Sequence, residues 1–337
     1  MEIRIWFNHW FSSAYFLINL IRNYDSCRYY VLGSNENEHS VVKLACDEWY
    51  REDKRGSDDA YVQYCLRFCE EHNVDVFVPK RGLQSVCRSA QAFADIGTKL
   101  FVPDDNGLVE ALSDKSQTYQ LVRNICPECV PPYEVVDSAE KFGPALARMA
   151  AITDRICMKR VVDEGALSFR VIYDETPENR ARYQNLRTYL SYEEAQQLIA
   201  GDDFDPPLML MPYLLSPEVS VDCLATAQGV IAIPRFKLGG RMEEIRFDAG
   251  ITGFCERILR GLSLTMPCNL QFRFLNERPY LLEINTRMSG GLQLSCLASG
   301  VNIPGIAMNQ LYGIEKAWRI TPAGRRVSYV EMPVILE

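Results

Sequence analysis

Alternating apolar and polar residues in the stretch from Cys268 to Gln293 place the strongest constraint on the fold of this chain. The alternation runs through Leu270–Leu275 and again through Tyr280–Asn285, on either side of Asn276-Glu277-Arg278-Pro279. Side chains alternate between the two faces of a strand, so this pattern predicts two antiparallel strands joined by a turn, a β-hairpin.

The two faces of the predicted hairpin differ in chemistry. One face is apolar and is expected to lie in the core; it comprises Leu270, Phe272, Phe274, Tyr280, Leu282 and Ile284. The other face combines oxygen ligands of the kind that hard cations prefer with two guanidinium groups, from Gln271, Arg273, Glu283, Asn285 and Arg287. This face suggests Mg²⁺ and phosphate, while an ordinary half-exposed sheet carries the same alternation.

The polar face resembles the metal-binding signature of the ATP-grasp superfamily, most closely the carbamoyl-phosphate-synthetase-like branch of carboxylate-amine ligases. In that signature an acidic residue or Gln precedes the motif Glu-x-Asn-x-Arg. Here Gln271 lies twelve positions before Glu283, and Asn285 and Arg287 complete the motif. The resemblance implies that Gln271, Glu283 and Asn285 hold Mg²⁺ or Mn²⁺.

Length and charge limit the class of protein. The chain has 337 residues, of which 47% are hydrophobic and 24% charged, as expected for a globular protein of two or three layers or domains. Lys and Arg number 36 against 44 Asp and Glu, so the net charge of −8 disfavours a nucleic-acid or anionic-membrane surface. No apolar run approaches the roughly 20 residues of a membrane span, and no secretion signal is recognisable, so we expect a cytoplasmic protein.

Twelve cysteines are scattered along the chain. Without a secretion signal, free thiols in a reducing compartment are the expectation. Cys126-Pro127-Glu128-Cys129 is an isolated CxxC with no second pair at zinc spacing, so a metal or redox role is disfavoured.

Residues 1–111 alternate between short apolar runs and helical patterns. The predicted strands are Ile3–Phe7, Tyr29–Leu32, Val74–Val78 and Lys99–Val102, and the predicted helices are Ser13–Arg22, Asp58–His72 and Leu83–Asp95. This alternation predicts a parallel, Rossmann-like sheet. The first turn, residues 8–13, contains no glycine, which excludes the dinucleotide-binding phosphate loop. In ATP-grasp proteins a domain at this position usually helps to bind the acceptor, and Lys80 and Arg81 would suit an anion or form a solvated loop.

The ATP-grasp resemblance assigns phosphate-binding roles in the next segment. Lys115, in a helix capped by Ser113-Asp114, and Lys159, at the end of a strand predicted over Arg155–Arg160, would contact nucleotide phosphates. Asp163–Val171 occupies the place of the glycine-rich lid loop but retains only Gly165, while Ala166 and Leu167 restrict its backbone. Ser168 and Arg170 would compensate by donating to phosphate.

The same resemblance places the adenosine further along. Met211, Pro212, Tyr213 and Leu214 match the hinge whose backbone reads adenine, and Met211 stands where many relatives have Glu. Glu218 lies seven positions after Met211, at the offset of the ribose-binding Glu, and a carboxylate can accept bonds from both ribose hydroxyls. The charged segment Thr176–Arg187 is predicted to be a mobile surface insertion, and Ser191 to Glu194 a capping box that opens a helix.

Charge on the transferred phosphoryl group would be neutralised by basic residues. Arg235 and Lys237 share one face of a strand predicted over Val230–Phe236, and the sequence leaves open which of them contacts the γ-phosphate. Arg287 is the third catalytic residue that the resemblance implies.

The predicted fold class is α/β followed by α+β: a Rossmann-like domain at 1–111, an ATP-grasp small (lid) lobe with a helical entry segment at 112–211, and a large lobe with the metal-binding hairpin at 212–337. The implied activity is ATP- and Mg²⁺-dependent ligation of a carboxylic acid, with an amino acid as one candidate, to an amine or thiol through an acylphosphate. An ATP-dependent phosphotransferase and a non-catalytic nucleotide-binding protein stay open. A homodimer is a further expectation.

Overall fold

The computed structural model describes residues 2–24, 27–53, 56–103, 106–163, 165, 167–321 and 324–336. The chain forms two compact units. The first unit comprises Met1–Leu112, Val219–Gln271 and Ile284–Glu337, and the second comprises Ser113–Glu218 and Phe272–Glu283. These units group residues by contacts and not by continuous segments, so the predicted three-domain division stays a prediction.

A parallel sheet begins the first unit. Its strands are β1 (Glu2–Asn8), β2 (Arg28–Asn35), β3 (Glu48–Arg51), β4 (Val76–Val78) and β5 (Lys99–Leu100). The order is β3-β2-β1-β4-β5, and each pair is parallel. The accompanying helices are α1 (Ala14–Arg22), α2 (Asp58–Glu71), α3 (Leu83–Arg88), α4 (Ala90–Asp95) and α5 (Asn106–Ser113). This parallel sheet with its helices is consistent with the predicted Rossmann-like arrangement.

Two details of this region differ from the prediction. The short edge strand β3 was not predicted, because three half-buried residues and one exposed residue carry little apolar periodicity. The single helix predicted over Leu83–Asp95 is two helices, because Ser89 adopts φ −101° and ψ 17° where α3 ends and α4 begins.

The second unit is built on a mixed sheet. Its elements are α6 (Lys115–Arg123), β6 (Glu134–Val136), α7 (Ala139–Ala150), β7 (Ile156–Arg160), β8 (Arg170–Tyr173), α8 (Pro177–Tyr183), β9 (Tyr189–Ser191), α9 (Tyr192–Ala200) and β10 (Leu208–Pro212). The strand order is β6-β10-β7-β8-β9. Ile156 and Met158 of β7 pack in a core with residues of α7 and α9. Because strand side chains alternate, Cys157 and Lys159 lie on the opposite face.

Helix caps in the second unit agree with the sequence. The side chain of Asp114 accepts from the backbone N–H groups of Ser116 and Gln117, and Ser191 forms the predicted capping box with Glu194. The segment predicted as a mobile surface insertion, Thr176–Arg187, contains the helix α8, which has no buried residues, and its mobility stays a prediction. Thr176 caps this helix and Pro177 occupies its first turn, a position where the missing N–H of proline has no cost.

The third sheet follows with β11 (Leu215–Thr226), β12 (Gly229–Gly239), β13 (Met242–Ile245), α10 (Ala249–Gly261), β14 (Cys268–Leu275), β15 (Arg278–Asn285), α11 (Leu292–Ser299), α12 (Ile303–Leu311) and β16 (Arg325–Val327). Its strand order is β15-β14-β11-β12-β13-β16. The predicted hairpin is therefore β14–β15. Its turn has two residues and not four, Asn276 and Glu277, with φ of 49° and 63°. Pro279 can lie within β15 because this strand is at the sheet edge.

The face assignment of β15 needs a correction. Leu281, on the parity of Glu283 and Asn285, is fully buried, whereas Tyr280 and Leu282 are only half-buried. The reason lies in the surroundings of the hairpin tip. Residues 272–283 pack as part of the second unit, where the Tyr119 hydroxyl donates to the Leu282 carbonyl, so an apolar residue is covered on the face that alternation marks as polar.

One hydrophobic core runs through the first unit. It joins residues of the parallel sheet and α1, such as Phe7 and Leu17, to residues of β12 and of α12, such as Ile231 and Ile306. Met288, in the loop after β15, also belongs to it. Among the described residues, no helix has the length and hydropathy to span a bilayer.

Candidate functional site

Two lysines lie together in the second unit. Lys115 is the first residue of α6 and is only 8% exposed. Its backbone N–H donates to the Val161 carbonyl at 2.8 Å, and its Nζ donates to the Asp163 carbonyl at 3.3 Å. These bonds hold it against the segment that follows β7, the strand of Lys159.

The surroundings of Lys159 disfavour its charge. Burial lowers the pKa of the Lys159 ammonium to about 8, and the positive charges of Lys115 and Arg273 act in the same direction. Cys157 and Glu283 oppose this shift. Three basic residues, Lys115, Lys159 and Arg273, therefore lie near Glu283, and Arg273 also pairs with Glu218. A bound anion would favour the charged form of Lys159.

Glu218 is paired within the same unit. The Arg273 guanidinium donates to one oxygen of Glu218, with an Nη2–Oε2 distance of 2.9 Å and an Nε–Oε2 distance of 3.3 Å. Both side chains are half-buried. The sequence places Arg273 on the polar face of the hairpin without a specific role. In the structure Arg273 pairs with Glu218 and is also close enough to Lys159 to lower the pKa of that lysine.

The polar side chains of the lid loop form hydrogen bonds within the loop and with the end of β7. The Ser168 hydroxyl donates to the Asp163 carboxylate at 2.6 Å and accepts from the Arg160 N–H at 2.8 Å. The Arg170 guanidinium donates to the carbonyls of Leu167 and Phe169. The Ser168 hydroxyl would have to exchange its bond to Asp163 for one to phosphate, whereas Arg170 uses only Nη1 in these bonds. The nucleotide roles of both residues stay predictions.

Glycine conformation matters at one position of this loop. Gly165 has φ of +66°, in the left-handed region that side chains rarely adopt. Glu164 and Ala166, which also belong to the predicted lid loop, lie outside the described residues.

The predicted hinge follows the end of β10. Met211 is buried and pairs with Cys157, and Pro212 pairs with Ile156. The Tyr213 N–H donates to the Arg155 carbonyl at 2.8 Å, and Leu214 is buried. This N–H is therefore used within the sheet, and recognition of adenine by the hinge stays a prediction that depends on other backbone groups.

The metal-binding hairpin carries the predicted ligands on two neighbouring strands. Gln271 is on β14, Glu283 and Asn285 are on β15, and all three are half-buried. Arg287 follows β15, with its guanidinium carbon 5.8 Å from the ring centre of Phe11. One carboxylate and two amide oxygens suit a hard cation such as Mg²⁺. The described residues contain no cluster of three or more His, Cys, Asp or Glu able to hold a metal. The predicted ligand set differs from such a cluster because two of its three members are amides.

Arg235 has a different environment from the one predicted. It is 2% exposed and donates to Asp222 and Glu243 on neighbouring strands, and to the hydroxyls of Ser220 and Ser289. Burial alone would lower the pKa of this guanidinium, but the two carboxylates outweigh burial and raise it. Lys237, the other basic residue on this strand, is exposed, and its contact with the γ-phosphate stays a prediction.

Polar residues also meet at the carboxyl ends of β1, β2 and β4. Arg81 donates to Glu36 and lies 3.2 Å from Nε2 of His9, which is itself 2.8 Å from Glu52. The Lys80 N–H donates to the Asn8 side chain at 2.6 Å. The loop with Lys80 and Arg81 therefore adjoins a polar group that includes His9 and Glu52, which the sequence did not predict. Residues of this group are far apart along the chain, so no local sequence pattern relates them.

The CxxC pair is part of the packing. Cys126 and Cys129 are fully buried, and the Cys129 thiol donates to the Cys126 carbonyl at 3.2 Å. All twelve cysteines are free thiols.

Solved structures share the fold of this chain. The biotin carboxylase domain of the 2-oxoglutarate carboxylase of Hydrogenobacter thermophilus, solved with MgADP, ADP and bicarbonate, superposes with a TM-score of 0.68 and 15% identity, over 94% of this chain and 71% of that one. A biotin carboxylase of Campylobacter jejuni gives 0.69 and 16%, over 94% and 73%. The N5-carboxyaminoimidazole synthetase of Staphylococcus aureus, solved with ADP, gives 0.68 and 12%, over 94% and 79%.

The chain has an ATP-grasp fold, and the predicted resemblance to that superfamily is confirmed. Within it, residues 204–333 match the family described as ATP-grasp in the biosynthetic pathway with Ter operon. This segment contains Glu218, Arg235 and the whole metal-binding hairpin. No curated protein matches the chain in sequence.

Proposed function

We propose that this protein is an ATP- and Mg²⁺-dependent ligase that joins a carboxylic acid to an amine. The observation that carries the proposal is the cluster of Lys115, Lys159 and Arg273 around Glu283. Buried like charges are unfavourable unless a counter-charge is supplied, and the phosphates of a nucleotide would supply it. The family match to residues 204–333 supports the same nucleotide chemistry.

The donor set of the hairpin suits the metal that this chemistry needs. Gln271, Glu283 and Asn285 would hold Mg²⁺, which when bound would neutralise charge on the phosphate oxygens. Glu283 is the one carboxylate of the set and is also a neighbour of Lys159. Its loss would therefore disturb both the metal ligands and the lysine pair.

In the proposed reaction, a carboxylate oxygen of the acid attacks the γ-phosphorus of ATP and the bond to ADP breaks. The resulting acylphosphate is attacked at its carbonyl carbon by the amine. The C–O bond to phosphate breaks, orthophosphate leaves and the amine loses a proton to solvent. Lys115 and Lys159 bind and orient the phosphates, and Lys237 and Arg287 stabilise charge on the transferred group. Positioning and electrostatics suffice for such a transfer.

An ADP-release assay with pairs of carboxylic acids and amines tests this function. We expect Mg²⁺-dependent ADP release that needs both substrates, and a loss of at least about 100-fold in Glu283→Gln. Glu256→Gln is the matched control, because Glu256 is exposed and paired with Arg260 on α10. Equal turnover in wild type and Glu283→Gln contradicts the site assignment.

Product analysis separates the ligase from its alternatives. A ligase releases orthophosphate and forms a product with the combined mass of acid and amine less one water. An ATP-dependent phosphotransferase instead gives a stable phosphorylated product without orthophosphate. A protein that binds nucleotide without any turnover across the substrate pairs would contradict the proposed function.

A further inference from the structure

A buried ion pair in the first unit lies directly beside both ends of the metal-binding hairpin. The pair is Asp222 of β11 and Arg235 of β12, joined by an Nε–Oδ2 bond of 2.9 Å. Their side chains are 1% and 3% exposed. A charged pair in this environment has to be satisfied by further hydrogen bonds, and the identity of those partners indicates what the pair holds in place.

The Asp222 carboxylate accepts four hydrogen bonds. Its Oδ1 accepts from the Ser289 hydroxyl at 2.6 Å and from the Asn269 amide at 2.8 Å. Its Oδ2 accepts from Arg235 and from the Ser295 hydroxyl at 2.6 Å. Both oxygens are therefore saturated.

Two of these partners adjoin the predicted metal ligands. Asn269 precedes Gln271 by two positions on β14, so both side chains lie on one face of that strand. Ser289 lies two positions after Arg287, in the loop between β15 and α11.

Ser289 connects the loop to both members of the pair. Its hydroxyl donates to Asp222, accepts from Nη2 of Arg235 at 3.1 Å, and accepts from the Gly291 N–H at 3.3 Å. A single hydroxyl thus fixes the loop to the carboxylate, the guanidinium and its own backbone.

Gly291 lies against the guanidinium of Arg235. A Cβ atom at position 291 would be 2.3 Å from Nη1 and 2.5 Å from the central carbon of that group. Since the guanidinium is held by Asp222, Glu243, Ser220 and Ser289, it has little room to move. The loop can approach this closely only because residue 291 has no side chain.

We propose that Asp222, Arg235 and Ser289 are positioning residues that hold the loop 286–291, and with it Asn285 and Arg287, in the geometry for metal and phosphate. Arg235 in this role touches neither substrate nor metal, which replaces the catalytic role expected from its place on the strand. The consequence for metal binding rests on the proposed function. The positioning of the loop does not.

Two matched pairs of variants test this role. Ser289→Ala and Ser295→Ala each remove one hydroxyl that donates to Asp222 at 2.6 Å, but only Ser289 belongs to the loop. Gly291→Ala forces a methyl group onto Arg235, whereas a Cβ at Gly290 meets only ordinary contacts of 3.5 Å and longer. Gly290→Ala is therefore the control for Gly291→Ala.

Hydrogen exchange read by mass spectrometry reports the loop directly. We expect protection of peptides that cover 286–291 to fall about ten-fold in Ser289→Ala and in Gly291→Ala, and to stay within about two-fold in both controls. Equal loss of protection in Ser289→Ala and Ser295→Ala would mean that the carboxylate merely stabilises the fold, and would overturn the proposal.

Binding of Mn²⁺ in the presence of ATP, followed by electron paramagnetic resonance, gives the second measurement. We expect the Kd to rise about ten-fold in the two loop variants and to stay near wild type in the controls. If wild type binds no Mn²⁺–ATP, the proposed function fails while the exchange result still decides the role of the loop. If a loop variant loses protection from hydrogen exchange but keeps its Mn²⁺ affinity, the proposal that the loop positions the metal ligands is overturned.

Discussion

Arg235 of the first unit and Lys159 of the second are both basic residues on interior strands of a sheet, yet their partners differ. Arg235 donates to two carboxylates and two hydroxyls. Lys159 lies near the cations Lys115 and Arg273, with Glu283 as the carboxylate that opposes them. The pKa of the arginine is raised and that of the lysine is lowered to about 8.

This difference separates a basic residue with acidic partners, Arg235, from one with basic neighbours, Lys159, for which we propose a phosphate ligand. A guanidinium with saturated partners needs nothing further, and its removal leaves buried carboxylates uncompensated. Crowded lysines raise the free energy of the folded protein until an anion neutralises them. Burial of a basic residue therefore does not by itself indicate a function. The signs of the neighbouring charges are also needed.

Arg235→Met is expected to have the largest effect. The substitution leaves Asp222 and Glu243 buried without their cation, which costs about 3–5 kcal/mol of unfolding free energy. Urea unfolding followed by circular dichroism measures this change. Arg260→Met is the control, since Arg260 is exposed and pairs with Glu256 on α10, and we expect a change below about 0.5 kcal/mol there. Equal stability of the two variants would contradict the difference drawn between Arg235 and Lys159.

Lys159→Met tests the other member of the comparison. Removal of a crowded charge should leave the unfolding free energy unchanged or raised, while turnover falls about 100-fold because a phosphate ligand is lost. Lys141→Met provides the control, because Lys141 is an exposed lysine of α7 paired with Asp137, and turnover should not change. A Lys159→Met protein that is destabilised but active would make Lys159 a structural residue like Arg235.

The pH dependence of ATP binding should follow the lysine. With a pKa of about 8 in place of the ordinary 10.5, Lys159 destabilises the folded protein below about pH 8, and this effect is relieved as the pH rises toward 10.5. Phosphate binding favours the charged form, so the Kd for ATP should rise about ten-fold between pH 7 and pH 9. Burial raises the pKa of Cys157 to about 11, so the neighbouring thiol stays neutral in this window.

Lys159→Arg is the control for this titration, because its guanidinium remains charged at pH 9. Calorimetric titration with ATP at fixed ionic strength should therefore give a nearly flat Kd for this variant. The same ten-fold rise in Lys159→Arg would assign the pH dependence to another group.

Local patterns in the sequence predicted several elements correctly. The hairpin β14–β15, the cap at Asp114 and the capping box at Ser191 each depend on residues a few positions apart, so periodicity and side-chain chemistry suffice. The lysine pair was also predicted as a pair, but through resemblance to the superfamily. The charges around Lys159 also come from Arg273 and Glu283, which are more than 100 positions away along the chain.

The role of Arg235 could not be predicted for the same reason. In the sequence it alternates with Lys237, and nothing distinguishes the two. The distinction arises because Arg235 pairs in register with Ser220 of β11 and Ile245 of β13, which brings Asp222 and Glu243 within reach. Strand register across a sheet is set by long-range packing, and a one-residue shift would have exchanged the environments of the strand's two faces.

The half-buried pair of Glu218 and Arg273 gives the smallest expected effect. In contrast to Asp222, Glu218 is 15% exposed at its side chain, and its Oε2 accepts from the Arg273 guanidinium. Glu218→Gln should therefore lower the unfolding free energy by less than about 1 kcal/mol. If the carboxylate also accepts from the ribose hydroxyls, the Kd for ATP should rise about five-fold, the equivalent of one hydrogen bond.

Comparison of ATP with 2′-deoxy-ATP isolates the contribution of the ribose. The penalty of Glu218→Gln should shrink for the deoxy nucleotide, because one of the two hydroxyls is already absent. An equal penalty for both nucleotides would mean that Glu218 acts only by holding Arg273 near the lysine pair. In that case Glu218 would position Arg273 in the second unit, as Asp222 positions Arg235 in the first. Arg235 and Lys159 would then differ only in the charge of the groups around them.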